Sequence, residues 1–223
     1  MAIEKMVPLM LEGIRDTMYM TTVSTLFAYL LGLPLAILLV LTAPKGLKPM
    51  SLLYRVLDAV VNVFRSIPFL ILMILVIPLT RLIAGKAYGS TTTIVPLVIA
   101  AAPYVARMIE SSLLEVDPGV IEAAQSMGAS IPEIIFKVII PEAKTSLIVG
   151  ATISSGTILG YSAMSGAIGG GGLGKIAISY GYNRYKYAVL LLAVIVLVVL
   201  VQVFQSIGTR AAVKSDKRLK GKA

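Results

Sequence analysis

The chain contains several long stretches without a charged residue, at residues 17–44, 87–106, 145–174 and 187–209. A helix needs about 20 predominantly apolar residues to cross the hydrocarbon core of a bilayer, so each stretch is long enough to contribute a membrane span. Only 14% of the 223 residues are charged, whereas soluble domains average about a quarter. The sequence therefore predicts an all-α polytopic membrane protein.

A further span is predicted near residues 56–80, although the charge-free stretch between Arg65 and Arg81 is too short to cross a bilayer comfortably. A helix here must include Asp58, Asn62 and Arg65, whose spacing places them on one helical face. A polar stripe of this kind usually faces the helix bundle or a water-filled cavity. Two interpretations are open, a functional role for the stripe and simple packing of an Arg–Asp pair.

These stretches together predict five spans, at about residues 17–42, 56–80, 91–114, 145–168 and 187–209. Residues 1–16 are expected to form an extracytoplasmic lead, residues 17–209 a single transmembrane domain, and residues 210–223 a basic cytoplasmic tail. Lys and Arg are more frequent in the loops that would lie on the side of the tail, and this bias favours an N-out, C-in orientation.

The segment of residues 117–141, which reads DPGVIEAAQSMGASIPEIIFKVIIP, predicts two short amphipathic helices between the third and fourth spans. Asp117 followed by Pro118 is typical of a helix start, and Gly128 can take the left-handed conformation that ends a helix. The expected apolar face of this first helix consists of Val120, Ala123, Ala124 and Met127.

The second helix of the segment is predicted to begin at Ser130, because Glu133 lies at the spacing of a capping box. Lys137 lies one turn after Glu133, which is a favourable ion-pair spacing, and Pro141 is expected to end the helix. The pattern fits an interfacial loop that caps its own bundle, and it also fits a docking surface for a partner.

Several classes of function are disfavoured by what the sequence lacks. The chain contains no His and no Cys, so a metal site or a nucleophile of the Cys–His type is not expected, and no catalytic residue is assigned. Its basic residues lie at span ends and are not interleaved with aromatics, which favours contact with membrane lipid over nucleic acid. No carboxylate occurs between Asp58 and Glu110 or between Glu142 and Asp216, so a carboxylate relay for proton-coupled transport is not evident.

The glycine-rich loop at residues 169–175 matches the spacing GxxxxGK of a phosphate-binding loop. The next residue is Ile176, where such a loop has the Ser or Thr that binds Mg²⁺. The loop also follows a predicted membrane span and not a core strand. We therefore expect a flexible extracytoplasmic turn that does not bind nucleotide.

The fourth span is rich in small hydroxyl side chains, among them Ser155 and Thr157, and carries Tyr161 and Met164 near its expected outer end. We expect these four residues to line a translocation path, with Tyr161 and Met164 as a constriction, since a polarizable thioether suits a thioether-bearing substrate. The alternative is close helix packing through Gly150, Gly156 and Gly160.

The segment of residues 117–141 resembles the EAA motif of bacterial ABC importer permeases. The matching residues are Glu122-Ala123-Ala124, then Gly128 after three residues, and Val138-Ile139-Ile140-Pro141 after nine more. Over nearly the whole chain, the sequence is most similar to the permease subunits of methionine ABC importers. The stretches that carry this resemblance are FRSIPFLILMILVIPLTRLIAG, AAPYVARMIESSLLEV, EAAQSMGAS and GYSAMSGAIGGGGLGKIAISYGY.

The resemblance implies the type I importer permease fold, with residues 117–141 as a cytoplasmic coupling helix. The residues expected to couple to the ATPase are Glu122, Ala123, Ala124, Gly128 and Pro141. The two alanines would let the partner approach closely. It also implies a bacterial inner-membrane homodimer with two ATPase subunits, which hold the ATP and Mg²⁺, and an extracytoplasmic methionine-binding lipoprotein. The expected substrate is L-methionine and also D-methionine; the alternatives are another amino acid, an ATP-independent channel or secondary carrier, or a membrane scaffold without transport.

Overall fold

The computed structural model describes residues 3–215, and every regular element within this range is helical. Residues 216–223, which form most of the predicted basic tail, lie outside the described residues. The α-helices are α1 (Ile3–Thr42), α2 (Ser51–Ser66), α3 (Phe69–Leu75), α4 (Ile77–Ala84), α5 (Ser90–Leu114), α6 (Pro118–Ser126), α7 (Ile131–Glu133), α8 (Ile140–Glu142), α9 (Lys144–Ser165), α10 (Gly172–Ile176) and α11 (Tyr187–Ser215). Two π-helical stretches, Ile134–Ile139 and Ala177–Tyr182, and a 3-10 turn at Gly166–Ile168 lie between them.

The described chain has four helices long and apolar enough to cross a membrane, or five when the sharply bent pair α2 and α3 counts as one span. The four candidates are Met6–Thr42, Ser90–Leu114, Lys144–Tyr182 and Tyr187–Ser215. The prediction of an all-α polytopic membrane protein is thereby confirmed. Helices suit the membrane because their internal hydrogen bonds satisfy the backbone where water is absent.

Two predicted segments differ from the structure. The expected lead at residues 1–16 is not separate from the first span, since α1 already begins at Ile3. Charged residues in this part of α1 limit its burial in lipid, but they do not prevent it from being helical. The expected second span at residues 56–80 is not one helix, because α2 ends at Ser66 and α3 starts after Pro68. Proline disfavours the helical conformation of the residue before it, and the chain bends at this point.

The chain divides into two compact units. In its described part, the first unit comprises residues up to Ala28, Ser66–Ala101 and Ser155–Gln205. Its hydrophobic core joins the first turns of α1 to the region of α10 and to the start of α11, through Met10, Leu173, Ile176, Ala177, Val189 and Ala193.

The glycine-rich loop belongs to this unit and is packed, so the expectation of a flexible turn was wrong. Gly170, Gly171, Gly172 and Gly174 are buried, and the N–H of Leu173 donates to Oγ1 of Thr17 at 2.9 Å. A Cβ on Gly174 would overlap the backbone of Ala163. The glycines therefore serve close backbone approach, which leaves no open cradle for a phosphate.

The second unit comprises Tyr29–Arg65, Ala102–Ser154 and the described residues from Ser206 onward. In this unit α1 approaches α5 closely at Gly32, where a Cβ would lie 2.9 Å from Cγ1 of Val105 and 3.1 Å from the carbonyl oxygen of Ala102. The Ser146 hydroxyl of α9 donates to the Ser112 hydroxyl of α5 at 3.0 Å. Small and hydroxyl-bearing residues thus join these helices, as is common in membranes. The unit also contains residues 117–141.

Candidate functional site

The first half of the segment of residues 117–141 forms α6, and its predicted start is confirmed. The Asp117 carboxylate accepts a hydrogen bond from the N–H of Gly119 at 2.7 Å, which satisfies a backbone donor that has no partner inside the helix. Pro118 occupies the first turn, where its missing N–H costs no hydrogen bond. The helix is therefore fixed at its N-terminus by local contacts alone.

The turn after α6 is made at Gly128, whose φ of 80° confirms the predicted left-handed conformation. The N–H of Gly128 donates to the carbonyl of Gln125 at 2.9 Å, and the N–H of Ala129 donates to the carbonyl of Ala124 at 3.1 Å. A Cβ on Gly128 would meet no atom within 4 Å. Glycine is favoured here by the backbone angle and not by lack of space.

The second half begins with the predicted capping box. The N–H and the hydroxyl of Ser130 both donate to Oε2 of Glu133, at 3.1 Å and 2.8 Å, and Nζ of Lys137 donates to Oε1 of Glu133 at 2.9 Å. The Lys137 contact, followed by the Ser130 hydrogen bonds, lowers the pKa of Glu133 to about 2. A carboxyl with a lowered pKa adds stability above its unfolded pKa and loses it as the pH falls towards the folded value. The box is therefore fully formed at neutral pH.

Pro141 was expected to end this helix, but the helix continues past it. The chain widens into the π-helical stretch Ile134–Ile139 and continues as α8 to Glu142, with Pro141 in the first turn of α8. Proline has no backbone N–H to donate to a helix. A π-helix has a different hydrogen-bond pattern from an α-helix, so a proline that follows the π-helical stretch need not end the helix. The break comes two residues later, at Ala143, before α9 starts at Lys144.

The apolar residues of the segment have two different environments. Ala124, Ile134 and Ile135 are buried within the chain at 4%, 1% and 7% exposure, whereas Met127 and Phe136 are exposed at 81% and 62%. Val120, Ala123 and Glu122 are also exposed. Of the paired alanines, only Ala123 is open to a partner; Ala124, which was also expected to border one, is buried within this chain. Val120, Ala123, Met127 and Phe136 are called the open apolar residues below.

A cleft of 720 Å³ lies beside the segment and within the same unit. The end of α5 and the start of α6 line it through Glu115, Asp117 and Val120, and the start of α9 lines it through Lys144 and Ser146. The segment thus presents a concave and partly charged surface next to its open apolar residues.

The predicted polar stripe on α2 has a partner on α5 that the sequence analysis missed. Nη2 of Arg107 donates to the Asp58 carboxylate and, at 3.1 Å, to the amide oxygen of Asn62. Nη1 donates to Glu110 at 2.6 Å, and Nδ2 of Asn62 donates to Asp58 at 3.1 Å. These four residues are called the Arg107 network. The available signal was an Arg and a Glu one turn apart near the end of an otherwise uncharged helix.

Arg65, the third residue of the predicted stripe, is exposed and is not part of the Arg107 network. Arg55, on the same face, donates to the carbonyl of Ser51 at 3.2 Å. Asp58 pairs with an arginine, but that arginine is Arg107 of α5 and not Arg65 of the stripe.

The residues predicted to line a path lie on α9, in the first unit. Tyr161 is half-buried, and its ring stacks on Phe69 with the centroids 4.3 Å apart and the planes 3° apart. Met164 is 49% exposed, and Ser155 and Thr157 are half-buried. The sequence analysis missed Phe69, whose position next to the Pro68 bend was the available signal.

The three glycines of α9 that the packing alternative named have few close neighbours within the described chain. A Cβ on Gly160 would meet nothing within 4 Å, and one on Gly156 would meet only Nε2 of Gln205, at 3.9 Å. Gly150 makes ordinary contacts with Met108 and Ser112.

Across residues 3–215, no group of three or more His, Cys, Asp or Glu side chains could hold a metal ion.

Comparisons with known proteins agree with this architecture. A probable D-methionine transport system permease protein of Vibrio cholerae is 48% identical over 210 residues, which cover 94% of this chain and 93% of that protein. The D-methionine transport system permease protein of Escherichia coli K12 is 47% identical over 163 residues, 73% of this chain and 75% of that protein.

Solved structures show the same fold. A chain of a methionine ABC transporter in an inward-facing conformation is 44% identical with a TM-score of 0.95, covering 97% of this chain and 100% of that chain. A chain of an amino acid ABC transporter is 22% identical with a TM-score of 0.79, covering 95% of this chain and 96% of that chain, a likeness of fold alone. Residues 28–220 match the family described as "Binding-protein-dependent transport system inner membrane component". This chain therefore belongs to the family of inner membrane components of binding-protein-dependent transport systems.

Proposed function

We propose that the chain is the permease subunit of an ATP-driven importer that carries methionine, as the L and also the D enantiomer, across the cytoplasmic membrane by alternating access. Relatives named for D-methionine transport support the substrate, and the similarity to a methionine ABC transporter supports the mode of transport. The chain supplies the path, and a separate ATPase hydrolyses ATP. ATP and Mg²⁺ are held by that ATPase, and this chain binds no cofactor.

One observation supports this function most directly, the exposure of apolar side chains on a segment that is otherwise firmly capped. The caps at Asp117, Gly128 and Ser130 hold the backbone without help from a partner, yet Met127 and Phe136 are 81% and 62% exposed. Apolar side chains that remain exposed on an ordered element outside the apolar spans mark a candidate binding surface. The proposed partner is the ATPase, with residues 117–141 as the coupling helix.

The proposed assembly contains two copies of this permease, two ATPase subunits and an extracytoplasmic methionine-binding lipoprotein in the inner membrane. The family description names dependence on a binding protein. In the proposed orientation the N-terminus lies outside, and residues 117–141 lie inside with the ATPase.

The proposed path runs along α9, past Ser155 and Thr157 to Tyr161 and Met164. The stack on Phe69 fixes the orientation of the Tyr161 ring, while Met164 is 49% exposed. An unbranched thioether can adapt its shape to a flexible apolar substrate, so Met164 is the proposed adjustable side of a constriction.

The first prediction concerns the transport activity. The permease, reconstituted in liposomes with its ATPase and binding protein, should accumulate labelled methionine only when ATP is supplied on the ATPase side. Uptake without ATP would support the alternative of a channel or secondary carrier. Uptake that leucine suppresses better than methionine would contradict the proposed substrate.

The second prediction concerns orientation. The chain contains no Cys, so a single Ser215→Cys substitution gives a unique label site at the end of α11. In intact cells an impermeant maleimide should leave this cysteine unlabelled until the membrane is opened. Tyr88→Cys, at an exposed site before α5, should label at once, and the reverse pattern would overturn the N-out, C-in orientation.

The third prediction concerns the turn of the segment. Gly128→Val should weaken co-purification of the ATPase and reduce uptake, because a β-branched residue at a left-handed φ costs about 1–2 kcal/mol and shifts the angle between the helices. Gly128→Asn should have a smaller effect, since asparagine tolerates this conformation.

Two further variants separate docking from folding at the same segment. Ala123→Glu adds a charge at an exposed position and should weaken ATPase association while the permease remains stable. Gln125→Ala, also exposed, is the matched control and should be mild. Normal ATPase association in both Gly128→Val and Ala123→Glu would place the docking surface elsewhere.

The fourth prediction concerns the constriction. Met164→Ala should widen the range of amino acids that compete with labelled methionine for uptake, because the adjustable side chain is lost. Met50→Ala, an exposed methionine before α2, is the control and should leave the range unchanged. An unaltered competition profile for Met164→Ala at normal expression would exclude Met164 as a path residue.

A further inference from the structure

The Arg107 network links two helices through one guanidinium group. Arg107 lies on α5, and two of its three hydrogen-bond partners, Asp58 and Asn62, lie on α2. The third, Glu110, is on its own helix. The contact with Asp58 therefore joins two helices, whereas the contact with Glu110 joins none.

The network is shielded in part: its amide, Asn62, is exposed, while its charged groups are less so. The side chains of Arg107, Asp58 and Glu110 are 19%, 32% and 7% exposed. Separating a charge pair that is shielded in part leaves each charge less well solvated, which is unfavourable, and more so near lipid. We expect the pair to remain closed while the helices move, so that α2 follows α5.

The position of Arg107 on α5 gives this link a direct connection to residues 117–141. Helix α5 ends at Leu114, and only Glu115 and Val116 separate it from the Asp117 cap of α6. At a rise of about 1.5 Å per residue, Arg107 lies roughly 10 Å before the end of α5. A displacement of α6 therefore reaches α5 over a short connection and arrives near Arg107.

We propose that Arg107 is a positioning residue that makes α2 move together with α5 when the segment of residues 117–141 is displaced. This role rests on the proposed function, because the displacement is assigned to ATP-driven movement of the docked ATPase. Arg107 touches no substrate in this role. It determines how much of the movement reaches the second helix.

Two isosteric substitutions distinguish this role from simple stabilisation. Asp58→Asn removes the charge that joins α2 to α5 but leaves the Arg107–Glu110 pair within α5. Glu110→Gln removes the pair within α5 but leaves the link to α2. Neither leaves the arginine without a carboxylate, so both variants should fold, and Asp58→Glu restores the charge as a test of rescue.

The first measurement is methionine uptake per ATP hydrolysed, with the complete complex in liposomes. Asp58→Asn should lower this ratio by about fivefold or more, the range of a modest coupling free energy, while ATP hydrolysis and ATPase co-purification persist. Glu110→Gln should leave the ratio near the wild-type value, and Asp58→Glu should recover most of it. An unchanged ratio in Asp58→Asn, an equal loss in Glu110→Gln, or a parallel loss of hydrolysis, uptake and co-purification would overturn the proposal.

The second measurement does not depend on the substrate. Spin labels on Val60→Cys of α2 and Leu114→Cys of α5, both exposed positions, report the distance between the helices in a chain that has no native Cys. This distance should remain the same when the complex is trapped with ATP, and it should change or broaden in Asp58→Asn. A change already present in the wild-type complex would overturn the role of Arg107. Failure of the wild-type complex to import methionine would refute the proposed function only, since the distances still decide the inference.

Discussion

The bilayer imposes the constraint on which the rest of the structure depends, because it supplies no water to solvate a charge or a free backbone group. Backbone groups are satisfied in helices, and most charged residues lie outside the apolar stretches. The Arg107 network, which lies on α2 and α5, follows the same rule, since its arginine donates to two carboxylates and an amide. A charged residue within a membrane helix needs a partner that compensates its charge. For Arg107 one such partner, Asp58, lies on a second helix.

The same constraint explains which parts of the fold could be predicted from the sequence. Long charge-free stretches predicted α5, α9 and α11, because only an apolar helix is stable in lipid. The sequence could not show where α1 begins, since the charged residues near the start of α1 are compatible with a helix that extends beyond the hydrocarbon. Nor could it identify Arg107 as the partner of Asp58. That pairing depends on which helices pack together, and spacing along one helix carries no such information.

The glycine-rich loop shows why one residue type supports opposite predictions. Glycine permits unusual backbone angles, which suggested a flexible turn, but it also permits close approach because it has no Cβ. Burial of Gly170 to Gly172 and of Gly174 shows that close approach is its role here, even though Gly172 also has a φ of 72°. Only the neighbours, such as the Ala163 backbone against Gly174, distinguish the two roles.

Residues 117–141 were predicted in most detail, because caps and turns are made by residues close together in the sequence. The bonds of Asp117 to Gly119 and of Ser130 to Glu133 need no distant partner. Exposure is different, since Ala123 and Ala124 are adjacent and have the same chemistry, yet only Ala124 is buried. One alanine thus secures the helix to its own chain while the other is open beside Met127. In the proposed function, a segment fixed on one face and open on the other would be displaced as one body by the ATPase, and the short connection from α6 to α5 would transmit that displacement towards Arg107.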